Sequence, residues 1–242
     1  MDIVSITNLS SGDKNDFVVS SEDLSKLLSE TSSEFNFESI PLSLLREVSI
    51  IQAKKAIQAS LTPDKNLIQA IETLDEAHSN LNISSERFIT WYSQLTGNPR
   101  IKLDILLDRK GLPSQIIPLR DNILAVKKLI VEMSTYLDNE SPKIISNLVK
   151  ILGTQLAARI VSLAGGLSKL ARMPASTIQL LGAEKALFRH MADGSPPPKH
   201  GVIYQHPNVR KALGKEKGKV SRKLAAKVAI ASRIDFFGEN NG

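Results

Sequence analysis

The sequence predicts an all-α fold, in which a helical segment with a shortened arm is followed by a compact helical C-terminal domain. Three observations carry this. Apolar residues recur at spacings of three and four from Leu44 onward. Proline and glycine cluster between those runs, where they punctuate helices. Small residues between Ile151 and Ala171 fall at helical spacing, which lets helices approach closely and gives little encouragement to strands.

Residues 1–42 are rich in serine and acid with scattered apolar residues, and predict a loosely docked or mobile arm with one short helix near Asp23 to Glu30. Beyond Pro41, the positions Leu44, Leu45, Val48 and Ile51 mark a first helix. Thr62-Pro-Asp64 then offers an N-cap with proline at the first helical position. A long helix follows, with Leu67, Ile68, Ile71, Leu74 and Leu81 on its apolar face; Ser84 to Arg87 reads as either a fresh start or a continuation into Phe88, Ile89, Trp91 and Tyr92. Gly97-Asn-Pro99 ends that helix, and Gly111, Pro113 and Pro118 interrupt what lies between it and a further helix from about Leu119 to Tyr136. Ser141-Pro142 closes the helical segment 43–142 and opens the C-terminal domain 143–242.

Composition narrows the function. With 42% hydrophobic and 23% charged residues the chain is of ordinary globular type. Its longest apolar-rich stretch, Ile144 to Leu170, is broken by Lys150, Arg159 and Lys169, and no signal sequence opens the chain, so no membrane role is expected. Absence of cysteine removes disulfides, thiolate zinc sites and cysteine nucleophiles; only four histidines remain, and no metal or other cofactor is expected. No nucleophile-elbow serine and no His-Glu-x-x-His is present. Gly165-Gly166 lacks the strand context of a phosphate loop and reads as a tight bend or close packing. No catalytic residue is assigned, and the chain is not expected to be an enzyme.

The net charge of +6 conceals a division. Residues 1–50 carry 3 basic and 9 acidic groups, whereas residues 151–242 carry 15 basic and 5 acidic ones. That asymmetry fits a nucleic-acid-binding C-terminal half, with an idle basic surface as the other reading. On a helix over Lys219 to Asp235, the residues Lys219, Arg222, Lys223, Lys227 and Arg233 fall within an arc of about 140°, beside a core-facing arc of Val220, Leu224, Val228 and Ala231. Like charges at i, i+4 disfavour an isolated helix by a few tenths of a kcal/mol per pair, roughly, and invite a polyanion.

Two blocks hold the remaining chemistry. In Gly182 to His190, Lys185 and Arg189 lie one helical turn apart, with Leu181, Leu187 and Phe188 expected to supply packing. In Pro196 to Val209, three prolines stiffen a loop carrying Lys199, His200, Tyr204, Gln205 and His206, a mixture of flat and hydrogen-bonding side chains suited to RNA. Burial behind the loop is favoured for Tyr204 over stacking on RNA. For His206, a structural hydrogen bond and an RNA contact stand level.

These blocks, with Leu156-Ala-Ala-Arg-Ile160, Leu163-Ala-Gly-Gly-Leu167, Leu170 to Leu181 and Leu224 to Asp235, resemble the Nop domain of ribonucleoprotein scaffolds over about residues 145–238. Weaker similarity to the box C/D scaffold proteins begins near Leu45. The resemblance implies a non-catalytic protein that reads a kink-turn RNA together with a small ribosomal-protein-like kink-turn-binding protein. By position it implies RNA contacts at Lys185, Arg189, Lys199, His200, Gln205, His206, Lys219, Arg222 and Arg233. It also implies a protein-partner face at Leu167, Leu170, Met173 and Ala175. The family holds fibrillarin through an N-terminal globular domain, in whose place about 40 residues stand here, which counts against fibrillarin recruitment. The breaks between Tyr92 and Ile145 count against a long dimerising coiled coil and leave the oligomeric state open. Absence of the lysine-rich tail of eukaryotic relatives leads to the expectation of an archaeal, cytoplasmic protein. A regulatory protein competing for the same partners, and a working subunit of the box C/D RNA 2′-O-methylation particle, are the alternatives.

Overall fold

The computed structural model describes residues 2–8, 14–19, 35–39 and 42–238, the first three stretches by their backbone alone. The chain divides into two compact units, Met1–Thr62 and Pro63–Gly242.

The first unit departs from the arm the sequence predicts. It contains three strands, β1 (Asp2–Asn8), β2 (Lys14–Val19) and β3 (Phe35–Ser39), in the order β2-β1-β3, antiparallel throughout. Asp2 pairs with Val19 and Thr7 with Lys14 on one side of β1, and Asn8 pairs with Phe35 on the other. The β-branched residues Ile3, Val4, Ile6, Thr7, Val18 and Val19 have the strand preference that the serine and acid content masked. The short helix expected at Asp23 to Glu30 lies outside the described residues. Helix α1 (Leu42–Ser60) completes this unit and buries Val48.

From Leu42 to Phe237 every described regular element is helical, as the periodicity predicts. Helix α2 (Pro63–Thr96) is continuous through Ser84. Its 34 residues span roughly 50 Å at 1.5 Å per residue. It packs along α4 (Ile117–Ile144), with the short helix α3 (Leu103–Leu107) and a 3₁₀ turn (Ser114–Ile116) between them. These connect into a small core of their own, where Phe88, Tyr92, Leu106, Leu107, Ile116 and Ile123 are buried together. Pro118 does not interrupt α4: it occupies the first turn, where a missing N–H has no helical partner to lose. Pro142 likewise lies inside α4 rather than ending it.

Helices α5 (Ser146–Leu152), α6 (Thr154–Ala164), α7 (Leu167–Arg172) and α8 (Ala175–Leu180) follow, then α9 (Glu184–Asp193), a second 3₁₀ turn (Val202–Gln205), α10 (Pro207–Lys211) and α11 (Lys217–Phe237). The main core runs from Leu67 on α2 through α4 to α8 and reaches Ala231 on α11, so the boundary expected at residue 142 is not a division in packing. Two buried carboxylates tie distant helix ends together. Asp235 accepts hydrogen bonds from the Asn147 backbone N–H at 2.9 Å, the Asn147 side-chain amide at 2.7 Å and the Leu148 N–H at 2.9 Å, capping α5. Asp64 accepts from the Leu167 N–H at 2.8 Å, capping α7. Both satisfy orphan donors with a charge that the helix N-terminus favours. Gly166 before α7 has φ of +128°, and an added Cβ would stand 3.2 Å from the Asp64 carboxylate, so the glycine pair serves a tight bend.

Candidate nucleic-acid interface

Lys185 and Arg189 project from α9, which buries none of its ten residues. Both are exposed, with no hydrogen bond or ion pair to any described residue. The packing expected of Phe188 is absent: it is 66% exposed and Met191 is 73% exposed, while Leu181, just before the helix, is buried. The helix is held from its ends. Glu184 accepts from the Gly182 N–H at 2.7 Å, Gly194 adopts the left-handed conformation after the last turn, and His190 Nδ1 bonds the Ser195 carbonyl. Cations and apolar side chains are thereby offered together on a free helix.

The loop beyond is fixed by its backbone. Gly201 donates to the Gln179 carbonyl at 2.8 Å, Val202 donates to the Leu181 carbonyl at 2.7 Å, and the Gln179 side chain donates to the Lys199 carbonyl at 2.6 Å. A Cβ at Gly201 would lie 1.9 Å from the Leu181 carbonyl oxygen, so only glycine permits this approach. Lys199 is exposed and His200 half-buried. The His200 ring stacks on Tyr204 with centroids 4.7 Å apart and planes 23° apart. Lys217 lies 4.7 Å from the Tyr204 ring centre and donates to its hydroxyl at 3.2 Å. Tyr204 is therefore not hidden behind the loop: it is 38% exposed within a cation–aromatic cluster.

His206 is half-buried, and both of its ring nitrogens are engaged within the protein. Its Nε2 donates to the Ile151 carbonyl at 3.1 Å and its Nδ1 accepts from the Asn208 N–H at 3.2 Å, capping α10. That pairing assigns the donor hydrogen to Nε2 and uses both ring nitrogens. The structural alternative explains this histidine. Gln205 is exposed and accepts from Arg159 at 2.6 Å.

On α11, the positions Lys219, Arg222, Lys223 and Lys227 are exposed without partners among the described residues, while Leu224, Val228 and Ala231 are buried. Arg233 differs. Its Nε donates at 3.1 Å to the Ala171 carbonyl near the C-terminus of α7, and it lies roughly 21 Å along the helix from Lys219. Part of its function is to cap a helix. The protein-partner face needs a larger correction. Leu167 is 6% exposed and Leu170 fully buried in the main core, and Met173 and Ala175 pack against that core half-buried. The leucines have no surface to offer because their helix is the floor on which α11 packs.

Comparison with known proteins settles the family. Residues 107–242 match the Nop family model, described as "snoRNA binding domain, fibrillarin". The chain belongs to the Nop family. An uncharacterized NOP5 family protein of Methanocaldococcus jannaschii is 34% identical over 230 residues, covering 77% of this chain and 56% of its own length. Nucleolar protein 56 of Schizosaccharomyces pombe is 32% identical over 224 residues, covering 73% of this chain and 45% of its own. The chain thus spans about half the length of these curated Nop relatives. A chain in the crystal structure of a fibrillarin/Nop5p complex shares the fold, with a TM-score of 0.54, 23% identity, and coverage of 94% of this chain and 87% of that one. The expectation against fibrillarin finds no support in these findings. Sequence reasoning missed Arg159 and Asp75, which brace Gln205 across 46 and 130 residues of chain. No local signal marks that arrangement.

Proposed function

We propose that this protein is a non-catalytic reader of a kink-turn ribonucleoprotein in RNA processing or modification, binding RNA and a small kink-turn-binding protein as one surface. The observation that carries this reading is α9, a helix with nothing buried, whose Lys185 and Arg189, without partners among the described residues, stand beside exposed Phe188 and Met191. Cations suit phosphate oxygens, and apolar side chains suit an unstacked base or a protein partner. Lys199 and the Lys219 to Lys227 face add further exposed cations, and the His200 ring adds a flat hydrogen-bonding group. The Nop family match over 107–242 supports the RNA side of the reading. The test is a gel shift with a kink-turn RNA, with and without a kink-turn-binding protein. A supershift at moderate salt that needs both components is expected, and its absence overturns the composite surface. A second reading, a working scaffold subunit that also holds fibrillarin, is favoured by the family description naming fibrillarin. Co-purification of the two proteins is its expected outcome.

A further inference from the structure

An open cleft of about 920 Å³ is lined by the middle of α2, by α6 and by the 3₁₀ turn Val202–Gln205. At its wall stands Arg159, whose side chain is only 20% exposed. Its Nε donates to Asp75 Oδ2 at 2.8 Å and one terminal nitrogen donates to Asp75 Oδ1, a two-pronged pairing that fixes the plane of the guanidinium. The other terminal nitrogen donates to Gln205 Oε1 at 2.6 Å.

An amide side chain alone presents either its oxygen or its nitrogen to a neighbour, and its orientation must be settled by the groups around it. A guanidinium has donors only. Arg159 therefore accepts one orientation of Gln205, with the oxygen inward, and the Nε2 group is left without a partner among the described residues on an exposed side chain. We infer that Arg159, locked by Asp75, is a positioning residue that turns the Gln205 amide so that its free end offers N–H donors, selecting acceptor atoms of the bound RNA. The chemical class recognised is an oxygen or nitrogen acceptor: a phosphate oxygen, a ribose hydroxyl oxygen or a base carbonyl or ring nitrogen. This rests on the proposed RNA–protein reading, and it adds to that reading which atoms Gln205 seeks and what aims it. It also joins the long helix α2, through Asp75, to the recognition loop.

The test is a binding series on the full chain, with the kink-turn RNA and kink-turn-binding protein, read beside thermal melting. Gln205→Ala is expected to weaken the ternary complex about 3- to 10-fold, the range for one net hydrogen bond. Arg159→Met, of similar length but without donors, is expected to weaken it by a similar factor, and by nothing further when Gln205 is already alanine. Arg159→Lys keeps a donor against the amide oxygen and is expected to recover most of the binding. Gln205→Glu is the sharpest variant. Its carboxylate suits Arg159, so melting holds or rises, yet it presents no donor and adds a negative charge, and binding is expected to fall by about 30-fold or more. If Arg159→Met unfolds the protein, the Gln205→Glu result decides alone. Wild-type affinity for Gln205→Glu, or multiplying losses for Arg159→Met and Gln205→Ala, overturns the inference while leaving the wild-type supershift and its reading intact. A Gln205→Glu loss confined to contact with the kink-turn-binding protein without RNA overturns the assignment to RNA. No supershift by the wild type overturns the parent reading and this inference with it.

Discussion

Helix α9 and the loop from Pro196 to His206 adjoin in sequence and share one charge character, but they are built in opposite ways. The helix has no buried residue, and its cations touch no described partner. The loop is tied through Gly201, Val202, the Lys199 carbonyl, Gln205 and both nitrogens of His206. Preorganisation lowers the entropy lost on binding, and a free helix keeps its full surface available. A recognition surface can hold both strategies, and substitutions should separate them: changes at the loop's backbone ties and at His206 disturb folding, whereas changes on the helix touch binding alone.

The largest expected effect is at Gly201. An added methyl group meets a backbone carbonyl that cannot move aside without releasing the Val202–Leu181 hydrogen bond. Gly201→Ala is expected to destabilise by about 3–5 kcal/mol, in the range of severe backbone and packing conflicts, as measured by denaturant unfolding. A stability within about 1 kcal/mol of wild type would mean that the loop is not fixed as described.

Next is Asp235, which extends the comparison to α11. One edge of this helix behaves as the loop does, tied into the protein, and the other as α9 does, free and cationic. Asp235→Ala leaves three donors at the α5 N-terminus without their acceptor and is expected to destabilise by about 2–4 kcal/mol. His206→Ala follows at about 1–3 kcal/mol, because the hydrogen bond to the part-buried Ile151 carbonyl and one helix-capping interaction are lost. If His206→Ala instead weakens RNA binding with melting unchanged, the histidine is a contact and not a brace.

What the sequence makes legible follows from how locally each feature is encoded. The periodicity of α2, α4 and α11, and the split of α11 into Leu224, Val228 and Ala231 on one side and Lys219, Arg222, Lys223 and Lys227 on the other, are set within a few turns and can be read directly. The exposure of Lys185 and Arg189 is legible for the same reason. Burial of Leu167 and Leu170 is not, since an apolar residue on a short helix could face either a core or a partner, and only the packing of α11 decides. Asp64 and Asp235 look like helix-surface acids in sequence, yet they cap helices 103 and 88 residues away. The strands between Asp2 and Ser39 were hidden by composition: serine and acid outweigh a few β-branched residues when a segment is judged by its average.

The smallest effect on folding, and the most direct test of the comparison, is on α9. Lys185 and Arg189 form no interaction with a described residue, so truncating either leaves nothing buried and nothing unpaired. Lys185→Ala and Arg189→Ala are expected to change stability by no more than about 0.5 kcal/mol, as for surface positions in general. Each should nevertheless weaken the ribonucleoprotein complex and, where the cation meets a phosphate, lower the dependence of log affinity on log salt by about one. Binding measured across a salt series, with melting recorded in parallel, separates the outcomes. A drop in melting temperature comparable to that of His206→Ala would place α9 among the braced elements, and the contrast between helix and loop would disappear. Unchanged melting with unchanged salt dependence would leave α9 free but not in contact with phosphate, and would shift its function toward the protein side through Phe188 and Met191.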